Sequence, residues 1–242
     1  MSSAGRTAVA TIASALENVA GTPGWRDRSA AAEVRFLGRS ADGGRGTEVA
    51  AAWVGERRVR ATMRQVHGAT VLAGRPGDCG EGDALVTTVP GLALEVVTAD
   101  CVPILVATDV QVAAIHAGWR GLVAGVIAAT LERFGDPAAA TAWIGPAIGA
   151  CCYEVGDEVA DAVVALSSAA VLAPGNRGRP HLDLGLAAEI ALERCGVGEI
   201  RRLALCTACH PRALESYRRD GRAAGRNRSL IWLRAAAVDQ EG

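Results

Sequence analysis

Residues 92–121 read LALEVVTADCVPILVATDVQVAAIHAGWRG. Three short β-branched runs, Leu92–Thr98, Val102–Ala107 and Val110–Ile115, are set apart by turn residues, and each reads as a buried strand. Glu95, Asp100 and Asp109 interrupt the apolar region, so no 18-residue apolar run forms and a membrane span is not expected. Gly118 to Gly121 end the strand pattern. Each strand end here carries a residue with chemistry to offer: Asp100-Cys101 between the first two runs, and His116 just after the third.

Working outward, Leu122–Phe134 has helical spacing, with Leu122, Val126, Ala129 and Phe134 near one face and Gly135-Asp136-Pro137 as the stop. Trp143–Pro146 is a strand end, Asp157–Leu166 and Leu186–Cys195 are helices, and Pro174–Pro180 is a loop. Arg202–Cys206 and Leu230–Leu233 are closing strands. Upstream, strand-like runs begin at Val34 and include Glu48–Val54, Arg58–Val66 and Asp83–Val89. Residues 1–30 are small and polar, broken by Gly21-Thr22-Pro23-Gly24, with a short helix over Val9–Val19. They are expected to be a partly flexible N-terminal appendage. Residues 31–242 are expected to form one catalytic domain of the α/β (α+β) class, with segregated sheets and helices rather than strict βαβ alternation.

Composition narrows the function. The 242 residues are 50% hydrophobic, 21% charged and 4% aromatic, which excludes a disordered or fibrous chain. A net charge of −1 excludes a uniformly basic nucleic-acid coat. Every basic side chain is Arg, so no lysine Schiff base can form. No glycine-rich dinucleotide fingerprint or phosphate-binding P-loop occurs. The seven cysteines fit a reduced, cytoplasmic protein, and the stretch Thr7–Ala15 runs into Glu17 without a secretory core.

His67, in Gln65-Val66-His67-Gly68, and His116, in His116-Ala117-Gly118-Trp119-Arg120-Gly121, both sit beside glycine at strand ends. Cys101 lies between them. Two imidazoles and one thiolate make a first shell for Zn²⁺ with the fourth position open. Against this, a lone Cys in an apolar run is more often core than ligand, and the spacings match no local metal motif. Cys206-Thr207-Ala208-Cys209 is a C-x-x-C with no second copy, read as a loop, a redox pair or half a zinc site. Cys151 and Cys152 are adjacent, which disfavours a bond between them. Asp83 and Asp100 are the carboxylates nearest the histidines and Cys101. Each could orient a ligand, move protons or cap a turn. The basic, glycine-punctuated stretch formed by Tyr217–Gly221 and Gly225–Arg228 is read as a phosphate or carboxylate site, or as a solvated, ion-paired face.

Taken together, Gln65–Gly68, Gly82–Thr87, Thr98–Pro103, His116–Gly121, Ile144–Gly149, Cys151–Val155 and Ser216–Gly221 resemble, in order, the bacterial YfiH family. That family is also known as polyphenol oxidase, laccase-domain protein and peptidoglycan editing factor. The resemblance covers roughly residues 58 to 233 and departs before them. Phe36-Leu37-Gly38-Arg39 aligns with an Arg-bearing strand, but no Ser-Leu-Asn-Leu segment follows. His210, Leu214 and Glu215 also depart from the family's acidic residue and Phe-Phe pair. The resemblance implies mixed sheets sandwiched between helices, like a bacterial deamidase toxin domain. It implies zinc on His67, Cys101 and His116, with copper as the other metal, and purine nucleosides and phosphate as partners, in a monomer or homodimer without nucleic acid or membrane.

The leading expectation is therefore a zinc-dependent purine nucleoside enzyme. It would phosphorolyse adenosine, inosine, guanosine and methylthioadenosine, and deaminate adenosine. Cys101, Asp83, Asp100 and Arg120 are the catalytic candidates, and Arg39, Gln65 and Arg218 the substrate- or phosphate-binding ones. Three alternatives stand beside it. One is amide hydrolysis, on muropeptide precursors or by a Cys101–His116 thiol pair. Another is copper-dependent polyphenol oxidation, disfavoured because only four His are present. The third is a non-catalytic zinc-binding module.

Overall fold

The hairpin at the centre of the quoted stretch, β10 (Val102–Ala107) and β11 (Val112–Ala117), is buried at every residue. The strands pair antiparallel with Pro103 opposite His116, and Thr108 N–H donates to Gln111 O at 2.9 Å to close the turn. The computed structural model describes residues 7–12, 16–19, 21–39, 53, 59–175 and 178–234. Around the hairpin, β1 (Ala8–Thr11), β15 (Glu199–Arg202), β12 (Thr141–Ile144), β10, β11, β8 (Ala84–Thr87) and β6 (Val71–Ala73) form one mixed sheet in that order. A second mixed sheet runs β2 (Glu17–Val19), β3 (Thr22–Arg28), β4 (Ala32–Leu37), β16 (Asn227–Leu233), β9 (Ala93–Thr98), β5 (Arg60–Arg64) and β7 (Gly77–Glu81). A short ribbon pairs β13 (Leu172–Ala173) with β14 (His181–Leu182).

The period-2 alternation of the strands decides the layering. Leu105, Ala107, Val112 and Ala114 of the first sheet meet Leu94, Val96, Ile231 and Leu233 of the second in one core. Val102, Ile104, Val106, Ala113 and Ile115 point the other way, onto the helices α1 (Trp119–Val123), α2 (Val126–Leu131), α3 (Asp157–Leu166) and α4 (Leu184–Arg194). Each Leu, Ile or Val among these contributes about 1.5–3 kcal/mol on burial, so the hairpin is a stiff base for anything at its ends. On the outer face of the second sheet, Trp53 packs with Leu37, Leu230 and Trp232. A fifth short helix, α5 (Tyr217–Asp220), lies in the basic stretch. None of the described helices is long and apolar enough to cross a membrane.

The α/β class with mixed sheets holds, and β9, β10, α3 and β16 fall on or close to their expected spans. Other expectations need correction. The Val9–Val19 helix is replaced by β1 and β2, and the Gly21–Gly24 break lies at the start of β3. The described part of residues 1–30 is thus paired into both sheets, β1 with β15 and β3 with β4. The single helix over Leu122–Phe134 is two, α1 and α2, because Gly125 between them takes φ +82°, a left-handed turn open to glycine. The closing strand expected at Arg202–Cys206 lies earlier, as β15. The strand expected at Glu48–Val54 lies outside the described residues, apart from Trp53.

Candidate active site

β9 belongs to the second sheet and β10 to the first, so the chain crosses between the layers at Ala99-Asp100-Cys101. His116 arrives at the same place near the end of β11, and His67 in the loop after β5. Behind them sits Asp83, fully buried. Its carboxylate accepts backbone N–H bonds from Val66 (3.3 Å), His67 (2.9 Å) and Gly68 (2.7 Å), and the Nδ1–H of His116 (2.8 Å). His67 adopts φ +63°, the left-handed turn that points these successive N–H groups at one anion. Burial alone would push the Asp83 carboxyl up, but the bonds from His116, Gly68 and His67 outweigh it and hold it below the usual range.

Because Asp83 takes Nδ1–H, the nitrogen of His116 left to face Cys101 is Nε2. The two imidazoles meet edge to face, centroids 4.7 Å apart at 81°. Cys101 Sγ lies 3.8 Å from His67 Nε2. Burial disfavours the thiolate, yet bonds and charges from His116 and His67 bring the Cys101 thiol down to about 7. Burial likewise disfavours charge on His116, and Asp83 and Cys101 more than reverse this, raising it to about 9. The three ligand atoms all lie within 4.8 Å of one another.

These residues fit a metal. An N₂S donor set suits Zn²⁺ or a single copper ion, and an N–S edge in a tetrahedral zinc site is about 3.6 Å, close to the separation seen. The space is kept open by glycine: a Cβ on Gly118 would come within 3.1 Å of Cys101 Sγ and 3.1 Å of His67 Cδ2. The remaining histidines are elsewhere, with His181 Nδ1 on Ala150 O and His210 Nδ1 on Cys206 O. A coupled cluster of several coppers therefore lacks imidazoles here.

The three residues open onto a cavity of about 660 Å³. Arg120, Arg218 and Arg226 line it, together with Trp119, Tyr153 and Tyr217. Arg120 stacks on Trp119 (4.4 Å to the ring centroid) and Arg218 on Tyr153 (5.0 Å). None of the three guanidinium groups forms an ion pair among the described residues. Asp100, the one carboxylate in the lining, has both oxygens engaged, Oδ1 by Thr207 Oγ1 (2.5 Å) and Oδ2 by Arg218 N–H (2.6 Å). It too has a left-handed backbone, φ +90°, a strain held in place by these bonds.

The structure thus gathers His67, Cys101, His116, Asp100, Arg120, Gln65 and Arg218 at one cavity. Gln65 is fixed through both ends of its amide, which bond Val97 N–H (2.8 Å) and Val97 O (2.7 Å). Asp83 lies behind the histidines, away from the lining. Arg39 is not brought to the cavity: its guanidinium is held by Asp220 (2.7 Å) and Glu215 (3.0 Å). Tyr153, Arg226 and Thr207 were not singled out from the sequence. Each lies within a stretch that was, and only the fold shows that these stretches converge.

Residues 45–234 match the family model described as multi-copper polyphenol oxidoreductase laccase. A Pseudomonas aeruginosa protein called purine nucleoside phosphorylase is 41% identical over 177 residues, covering 71% of this chain and 73% of that one. The Escherichia coli purine nucleoside phosphorylase YfiH is 41% identical over 177 residues, covering 71% and 72%. Among solved structures, a Neisseria meningitidis protein superposes with a TM-score of 0.78 at 31% identity, covering 89% of this chain and all (100%) of that one. The Bacillus licheniformis hypothetical protein YfiH gives 0.75 at 26%, covering 84% and 93%.

Proposed function

The chain belongs to the multi-copper polyphenol oxidoreductase laccase family, the YfiH family, and from that premise we propose that it is a purine nucleoside phosphorylase that also deaminates adenosine. The observation that carries this reading is the set of three arginines without ion-pair partners facing the His67-Cys101-His116 group across one cavity. Uncompensated guanidinium groups are an anion site, and phosphate is the anion that phosphorolysis consumes. The aromatic rings beside them offer flat faces for a purine.

In phosphorolysis a phosphate oxygen attacks C1′ of the ribose. The C1′–N9 bond breaks, its electron pair leaves with the purine, and ribose 1-phosphate remains. Arg120, Arg218 and Arg226 bind and orient the phosphate and offset its charge as it approaches the sugar. Tyr153 and Trp119, each stacked with an arginine, hold those guanidinium planes in place. Asp100 fixes the backbone of Arg218, and Asp83 fixes the His116 imidazole and the backbone of His67. A Zn²⁺ held by His67, Cys101 and His116 would supply Lewis acidity and water activation, the chemistry that deamination at purine C6 requires.

Product analysis tests the proposal. Zinc-loaded protein with adenosine should release adenine and ribose 1-phosphate only when phosphate is present, and inosine without it. No turnover of nucleosides under either condition would overturn it. A second reading, amide hydrolysis by the Cys101 thiolate with His116, draws on the thiol held near 7 beside an imidazole. It predicts single-site alkylation of Cys101 that substrate blocks and chelator leaves unchanged.

A further inference from the structure

We infer that Cys151, Cys152, Cys206 and Cys209 form a second, four-thiolate metal site that takes Zn²⁺, separate from the His67-Cys101-His116 group. Their four sulfurs lie within 4.8 Å of one another. Cys209 Sγ is 3.5 Å from Cys151 Sγ and 3.4 Å from Cys152 Sγ. The edge of a ZnS₄ tetrahedron is about 3.8 Å, so the sulfurs stand near the corners such an ion needs. They are too close together to straddle an iron–sulfur cluster, whose cysteines sit on different irons. All four cysteines are free, with sulfur separations far beyond a disulfide bond.

The surrounding backbone is arranged for sulfur ligands. Gly149 N–H donates to Cys206 Sγ at 3.3 Å, an N–H···S bond of the kind that supports a metal thiolate. A Cβ on Gly149 would lie 3.4 Å from Cys206 Cβ and 3.5 Å from Cys151 Sγ, so the sulfurs pack directly on this glycine. The ligands come in pairs from two loops, one after β12 and one after β15. The loops are already joined, since Ala147 bridges Cys206 and Thr207 N–H donates to Ala147 O at 3.0 Å. Cys151 and Cys209 are exposed, which leaves an entry path for the ion.

The position gives the site a purpose. Thr207, inside the C-x-x-C, holds Asp100. Tyr153 follows Cys152 and lines the cavity, and Arg218 Nη1 bonds Glu154 O at 3.0 Å. A metal on the four cysteines would fix the two loops that carry this cavity wall, without touching substrate.

Cobalt titration of the reduced, full-length protein tests this independently of any activity. Wild type should take up about two ions per chain, Cys101→Ala about one and Cys206→Ser/Cys209→Ser about one. The ion in Cys101→Ala should show the intense sulfur-to-cobalt absorption of a four-thiolate tetrahedral site. Circular dichroism checks the fold of each variant. If the double variant fails to fold, the comparison of wild type with Cys101→Ala still decides. Two outcomes would overturn the inference. One is a Cys101→Ala protein that binds no cobalt with thiolate absorption. The other is freshly prepared, unreduced protein in which these cysteines are paired as disulfides by mass spectrometry and metal is absent.

Discussion

Asp83 and His116 are joined by a 2.8 Å hydrogen bond with both side chains almost completely out of water. The same carboxylate holds the backbone of His67, so one buried anion orients one imidazole and fixes the turn that carries the other. Asp83→Asn keeps the shape but removes the charge. It should weaken metal affinity by about 10–100-fold and lower stability by about 3 kcal/mol. Metal competition titration and denaturant unfolding measure the two effects. Unchanged metal affinity would mean that the carboxylate does not orient the ligands.

The Cys101 thiol, held down to about 7 by the two imidazoles, sets a pH profile for the metal-free protein. The thiolate is the reactive form, so alkylation at Cys101 should rise with pH to half its maximum near pH 7 and level off above. His116→Ala removes the leading favourable partner and should move that midpoint up toward the ordinary thiol range. Mass-spectrometric alkylation rates across pH follow both, and a wild-type midpoint at the ordinary value would contradict the geometry.

Gly118 leaves room beside Cys101 and His67 that a methyl group would invade. Gly118→Ala should therefore displace a ligand by a few tenths of an ångström and reduce zinc affinity several-fold. The helix α1 that it precedes should persist. Metal affinity together with far-ultraviolet circular dichroism separates these effects, and wild-type affinity would show that the cradle has slack.

Two arginines should behave differently. Arg120 has no carboxylate partner among the described residues and faces the cavity, so Arg120→Ala should raise KM for phosphate about 10–100-fold, the loss of one or two charge-assisted bonds. Arg39 is bound to Asp220 and to the buried Glu215, so Arg39→Ala should leave that KM unchanged and cost about 1–3 kcal/mol of stability. Equal effects on KM would mean that the cavity is not the phosphate site.

The central strands were legible because burial on both faces writes itself as unbroken apolar runs, as in Val102–Ala107. The crossing at Asp100-Cys101 was legible as a turn, and the family resemblance implied its joining to His67 and His116. The edge strands β2 and β7, and β3 next to β2, were not readable. Glycine and proline stand inside Thr22–Arg28 and glycine inside Gly77–Glu81, where local propensity opposes a strand and pairing in the sheet overrides it. Arg39 shows a different limit. Its charge suited phosphate, but only the fold reveals that Glu215 and Asp220, far along the chain, reach it first. The meeting of Cys151-Cys152 with Cys206 and Cys209 was invisible for the same reason, since neither half has a complete ligand set.

The donors at the candidate metal centre come from different layers: His67 follows a strand of the second sheet, His116 ends one of the first, and Cys101 sits on the chain passing between them. An ion bound there is a rivet through the sandwich. Its binding energy opposes any shear of one sheet against the other, adding about 4 kcal/mol to the folded state when free metal is 1,000 times its dissociation constant. Cell metal supply would then govern how long the protein survives as well as whether its centre is filled.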